Sequence, residues 1–126
     1  IMLSSALRTG EHVKAVLELL KEKNANSVIS VTKYSFPLMY AFTRAENGEL
    51  KEAFPDKTHL KTQDFPEYLV GNGGIYALKQ EFIRQKKYTP TKTFPYLMPF
   101  WASVDIDTYE DLDIAKAMYK YFYLEK

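Results

Sequence analysis

A chain of 126 residues, 46% hydrophobic and 26% charged, is long enough for one domain with a real core and has the composition of an ordinary soluble globular protein. Its net charge of +1 offers no argument for a nucleic-acid partner or a membrane surface. The absence of cysteine excludes disulfides, thiolate metal sites and a cysteine nucleophile, and is compatible with a cytoplasmic location. No apolar run approaches the ~20 residues of a membrane span. Ten tyrosines, eight phenylalanines and one tryptophan must cluster in a core, at an interface or around a ligand.

Residues 1–6 are apolar with small hydroxyls and read as a strand end entering a loop. A chain start is more often polar and frayed, so this one reads as beginning in the middle of a fold. Thr9 can cap a helix over residues 11–23, with Val13, Val16, Leu17 and Leu20 as its apolar stripe and Lys21 and Lys23 near its end. Residues 27–32 are short and β-branched, the pattern of a buried strand. Helix then strand, joined by Asn24-Ala25-Asn26, predicts an α/β unit with a parallel sheet.

Residues 38–44 and 49–54 read as two strands around Asn47-Gly48, a strong hairpin signal. Phe36, Tyr40 and Phe42 either anchor a partner subunit or fold back on their own domain. Residues 55–61 are loop-like. Residues 63–68 read as a turn or helical start, with Asp64 as a cap. In residues 70–78, three glycines beside Asn72 predict a tight turn into a strand over 75–78. As a phosphate loop this stretch is poor, because no lysine follows and no helix opens after it. Residues 80–87 predict a short amphipathic helix. Residues 88–100, with Pro90, Pro95 and Pro99, predict an extended loop.

The most informative stretch is residues 101–112. Val104 and Ile106 alternate with Asp105 and Asp107, as on a strand. Thr108 then caps a final helix over 108–123, with Glu110 and Asp111 in its first turn. The two aspartates would stand roughly 7 Å apart on one side of the strand end. At an effective dielectric near 20 they would repel by about 2–3 kcal/mol, and in open water by well under 1. Exposed, the pair says nothing. Lining a cleft, it calls for a divalent cation, and hard cations such as Mg²⁺ take one or two carboxylates plus substrate phosphates.

The histidines, His12 and His59, lack metal-ligand spacing and read as surface residues. Asp105-Ile106-Asp107-Thr108 differs from the phosphatase nucleophile motif, since its threonine comes one position early. The same D-x-D is also the metal clamp of sugar-nucleotide glycosyltransferases, which stay as a competing reading.

Three stretches together resemble the acylneuraminate cytidylyltransferases, or CMP-sialic acid synthetases. Ser5-Ala6-Leu7-Arg8-Thr9 resembles their S-P-L-R-T segment. Gln63-Asp64-Phe65-Pro66 followed by Asn72-Gly73-Gly74-Ile75-Tyr76 resembles their Q-D-L-P…N-G-x-I-Y run. Ser103-Val104-Asp105-Ile106-Asp107-Thr108-Tyr109-Glu110-Asp111-Leu112 resembles their closing S-V-D-I-D-T-x-E-D-L. The pseudaminic and legionaminic acid cytidylyltransferases share much of the pattern.

The resemblance implies the C-terminal half of a Rossmann-like nucleotide-diphospho-sugar transferase fold. Residues 1–35 and 70–126 would belong to its α/β core, and residues 36–69 to a projecting dimerisation hairpin. The implied reaction joins CTP to a nine-carbon keto-sugar acid, giving a CMP-sugar and pyrophosphate, with use in lipopolysaccharide biosynthesis. The resemblance assigns Mg²⁺ or Mn²⁺ binding and catalysis to Asp105 and Asp107, and substrate binding to Arg8, Asn72, Tyr76, Lys61 and Gln63. Lys61 would reach a neighbouring active site in a homodimer.

Departures are Met2 where the family has glutamine, Ala6 where it has proline and Lys61 where arginine is usual. A lysine pairs with an anion only as a point charge. The family's first half, which holds the CTP phosphates, has no counterpart in the sequence. The chain alone is therefore expected to be inactive and to self-associate. A non-catalytic dimerisation module is the remaining alternative.

Overall fold

The computed structural model describes residues 3–56, 61, 63 and 65–125. His59 and Asp64 lie outside the described residues. The described residues form two compact units, one within Ile1–Thr32 and Gly71–Lys126, the other within Lys33–Val70.

In the first unit, helix α1 (Gly10–Glu22) starts where Thr9 supplies a capping box. Thr9 Oγ1 accepts the His12 backbone N–H, and His12 Nδ1 accepts the Thr9 N–H. His12, expected at the surface, is half-buried and forms part of the helix start. Val16 is fully buried, with Val13, Leu19 and Leu20 packed beside it. Leu17, counted in the predicted stripe, is 47% exposed, because it lies about 100° around the helix from Val16.

Strand β1 (Ser27–Lys33) is the middle of a three-stranded sheet, with β4 (Leu69–Leu78) and β5 (Thr93–Leu97) on either side. β1 and β5 are parallel, in register from Ser27↔Thr93 to Val31↔Leu97. β4 runs the other way: Tyr34 N donates to Tyr68 O near its start, and Lys79 N donates to Asn26 O just past its end. The sheet is therefore mixed, not parallel as predicted. α1 covers one face, where Val16, Ala25, Val28, Ile75 and Ala77 form the core with Phe94 and Tyr96.

β5 lies in the stretch predicted as an extended loop. Met98 N donates to Val31 O at 2.8 Å, which turns the even-numbered residues of β5 toward β1. The nitrogen of Pro95 therefore faces the open edge, where its missing N–H leaves the β1 ladder intact. Helix α2 (Gln80–Arg84) is shorter than predicted and is followed by Lys86 in a left-handed conformation, φ 53°.

A 3₁₀ turn (Phe100–Ala102) follows Pro99. Residues 103–107 keep the predicted alternation, with Val104 and Ile106 half-buried and Asp105 and Asp107 exposed. They are not a strand. Ile106 N donates to Ser4 O at 3.1 Å, and Ser4 lies on a turn that offers no strand to pair with. Helix α3 (Tyr109–Tyr119) widens into a π-helical turn (Lys120–Leu124). There Phe122 stacks on Trp101 at 4.1 Å and 12°, and Tyr123 meets the same indole edge-on. The Tyr123 hydroxyl donates to Leu7 O at 3.1 Å. Among the described residues no helix is long and apolar enough to cross a membrane.

In the second unit, a 3₁₀ turn (Leu38–Tyr40) after Pro37 leads into a hairpin of β2 (Phe42–Arg44) and β3 (Leu50–Glu52). The strands are antiparallel, with Phe42 opposite Glu52 and Arg44 opposite Leu50. The Asn47-Gly48 turn forms as predicted, and Asn47 Oδ1 accepts the Glu49 N–H. Met39 is buried, and Tyr40 meets Phe65 edge-on at 5.4 Å. Cavities of about 350 and 430 Å³ share Tyr34, Phe36, Pro37 and Leu38 as walls.

Candidate active site

The glycines of residues 71–74 lie inside β4 instead of forming a turn before it. Gly73 has φ +68°, which favours glycine. Burial changes phase there: Asn72 and Gly74 are buried before the irregularity, Ile75 and Ala77 after it. One extra residue in a strand produces that shift, so the irregularity is a bulge. A bulge leaves a backbone amide without its ladder partner. Here Ile75 N donates to Ser30 Oγ of the neighbouring β1 at 2.7 Å.

Asn72 ties the bulge together from within. Its Oδ1 accepts from Ser30 Oγ at 2.6 Å and from Gly74 N at 3.1 Å. Its Nδ2 donates to Ser103 Oγ at 2.9 Å and to Met98 Sδ at 3.3 Å. The Gly74 N–H requires an oxygen opposite it, which fixes the orientation of the amide. A Cβ at Gly74 would stand 3.1 Å from both Asn72 Oδ1 and Ser30 Oγ, and 3.2 Å from Ser5 Oγ. A methyl group there would press on all three oxygens, which would have to give by a few tenths of an ångström. Ser5 is fully buried, and its Oγ has no hydrogen-bond partner among the described residues.

Two further segments meet the bulge. The loop carrying Arg8 brings Ser5 to Gly74, and Arg8 Nη1 donates to Ser5 O within that loop. The segment after Ser103 brings the Asp105 carboxylate to Gly73, with Oδ2 3.3 Å from where a Cβ would stand. Asp107 lines a pocket of about 240 Å³ with Ile106, Thr108, Tyr109 and Leu112. Tyr76 is exposed on β4, with its hydroxyl leaning over Gly71. The structure thus gathers Arg8's loop, Asn72 and Asp105, with Asp107 two residues on. Lys61 and Gln63 are exposed residues of the second unit.

Asp111 is committed elsewhere. Its Oδ2 accepts from Thr108 Oγ1 at 2.7 Å, Thr108 N at 2.8 Å and Asp107 N at 3.2 Å. The Thr108 hydroxyl, then the backbone N–H groups, hold its carboxyl below the usual range. It closes the α3 capping box, which leaves Asp105, beside the bulge, and Asp107, two residues on, as exposed carboxylates. Among the described residues no three acidic, histidine or cysteine side chains group as a complete metal cage. Two carboxylates suit Mg²⁺, which keeps waters and takes its remaining ligands from phosphates.

Ser5, Ser30 and Ser103 carry this geometry, and no motif singled out Ser30 as part of a site. The signal was a hydroxyl in the middle of the β-branched run 27–32.

No family model matches the chain. Curated relatives do. An N-acylneuraminate cytidylyltransferase of Streptococcus agalactiae serotype V is 25% identical over 113 residues, 88% of this chain. Those of serotypes III and Ia are 23% identical over 112 residues. The chain is similar to the N-acylneuraminate cytidylyltransferases. Each match covers 27% of the relative, so the chain spans about a quarter of the length of the curated cytidylyltransferases it matches. At this identity, the similarity extends over most of an α/β chain whose motif-bearing segments meet at one bulge.

Proposed function

We propose that this chain is a segment of a cytidylyltransferase that activates a sialic-type nine-carbon keto-acid with CTP. The observation that carries the reading is the approach of Asp105 to Gly73, which joins two motifs thirty-two residues apart in sequence. In the proposed reaction the anomeric hydroxyl of the sugar attacks the α-phosphorus of CTP. The bond to pyrophosphate breaks, and CMP-sugar forms.

Asp105 and Asp107 would hold a divalent cation, which when bound supplies positive charge for the phosphates. Arg8 offers positive charge for an anionic substrate group. Asn72 spends three of its hydrogen bonds on oxygen and nitrogen partners and the fourth on a sulfur, a weak acceptor. A sugar oxygen would compete best for that fourth donor. Tyr76 would form a wall of the sugar pocket, and Lys61 and Gln63 would bind substrate. The rest of the longer polypeptide would supply the CTP phosphate site.

Residues 36–69 would mediate a homodimer. The reading is supported by the exposure of Phe36, at 81%, and Phe42, at 58%, on a small unit with two aromatic-walled cavities.

The test is CMP-sugar formation from CTP and N-acetylneuraminate by the full-length polypeptide with Mg²⁺. Activity is expected, and Asp105→Asn should lower kcat by on the order of a hundredfold or more while leaving folding intact. Full activity in Asp105→Asn, or no cytidylyl transfer by the wild type, would overturn the proposal.

A further inference from the structure

The start of α1 uses an unusual partner. In a capping box the third helical residue is ordinarily Glu or Gln, whose side chain accepts the backbone N–H of the cap residue. Here that residue is His12, and the acceptor is Nδ1, 3.1 Å from Thr9 N. An imidazole nitrogen accepts only when it carries no proton. The hydrogen bond therefore exists only with His12 neutral and its proton on Nε2.

The cap residue is followed, in the direction of the site, by Arg8. Arg8 and Thr9 belong to the same loop that lays Ser5 against Gly74 and offers Ser4 O to Ile106 N. The loop is held from its other side by the Tyr123 hydroxyl on Leu7 O. The His12–Thr9 bond anchors it to α1 through the Thr9 N–H, beside the bonds that His12 N and Val13 N donate to Thr9 Oγ1 and Thr9 O.

We infer that His12 is a positioning residue: in its neutral form it holds the Arg8-bearing loop in register with the glycine bulge, and its protonation releases that anchor. The consequence for catalysis rests on the function proposed above; the consequence for the loop does not.

Three observations converge on the sign. Protonated Nδ1 would point a proton at the Thr9 N–H, replacing attraction with repulsion. A cation in the first turn also opposes the positive end of the helix dipole. Burial pushes the His12 pKa down, which keeps the neutral form dominant at neutral pH. The group facing the imidazole from the packed sheet is the Tyr96 ring of β5, with centroids 6.4 Å apart. On the helix side stand Glu11, next in sequence, and Arg8, donating to Ser5 O.

The test follows the Thr9 amide by NMR in full-length protein labelled with nitrogen-15 at threonine. In the wild type the Thr9 amide shift should titrate with the same midpoint as the His12 imidazole, below the ordinary value of roughly 6.5. Its hydrogen exchange, corrected for intrinsic rate, should become roughly fivefold faster below that midpoint. His12→Gln keeps an uncharged acceptor and should hold the amide protected and flat across about pH 5–7.5. His12→Ala should show the fast exchange at every pH. A Thr9 amide that ignores the imidazole titration, or one that titrates equally in His12→Gln, would overturn the inference. In an active enzyme the acid limb of kcat/KM should flatten in His12→Gln. A titrating Thr9 amide in a protein that makes no CMP-sugar would leave the anchor standing and remove only the proposed reaction.

Discussion

The carboxylate of Asp105 lies beside Gly73, its Oδ2 3.3 Å from the point a methyl group would occupy. The contact exists because β4 carries an extra residue, and that residue is left-handed. Gly73→Ala would meet two obstacles, a positive φ and the acidic side chain. It should lose about 1–2 kcal/mol of stability in denaturant unfolding. It should also weaken Mg²⁺ binding by the full-length protein, measured calorimetrically. Unchanged stability and metal affinity would mean that the bulge tolerates a side chain and does not position Asp105.

Asn72 is the internal brace of the same bulge. Asn72→Ala would leave Gly74 N without its partner in a buried setting and take away the 2.6 Å acceptor of Ser30 Oγ. A loss of about 3 kcal/mol is expected in urea unfolding. A loss below about 0.5 kcal/mol, the range of ordinary surface changes, would show that the network rearranges without it.

The α3 cap carries an acid dependence. The folded pKa of Asp111 lies below its unfolded value, so its contribution is present above the ordinary carboxylate pKa of roughly 3.9 and is lost as pH falls through the folded value. Thr108→Ala should cost about 1 kcal/mol at neutral pH. It should also shrink the stability difference between neutral pH and about pH 3. Parallel stability–pH curves for variant and wild type would contradict this.

For the second unit, sedimentation of the full-length protein is decisive. Replacing Phe36 and Phe42 together by glutamate should convert a dimer into a monomer, because both side chains are exposed and neither contributes to a buried core. An unchanged sedimentation coefficient would place any dimer contact elsewhere.

Much of the local structure was legible because local chemistry decides it. Thr9 and Thr108 cap helices by hydrogen bonds three residues long, and Asn47-Gly48 turns a hairpin with its own backbone. The misreadings each involve a partner distant in the chain. Three prolines made residues 88–100 look like a loop, yet Pro95 faces away from β1 and costs the ladder nothing. The glycines of β4 looked like a turn because Ser30, forty-two residues before Asn72, is what makes their bulge satisfiable. Residues 103–107 alternate like a strand, but alternation records burial on one side, not a ladder. Asp105 and Asp107 were readable as candidates from spacing. The contact that gives Asp105 a setting depends on Gly73's dihedral angle, which a residue letter does not specify.

The proline of β5 has one more effect, on growth of the sheet. A strand arriving beside β5 would find a carbonyl with nothing to receive opposite Pro95, so that flank is a poor template for polymerisation. β4 forms the opposite flank, ten residues long and without proline. That flank is blunted by a different device, because the glycine bulge breaks the even ladder that an arriving strand would need.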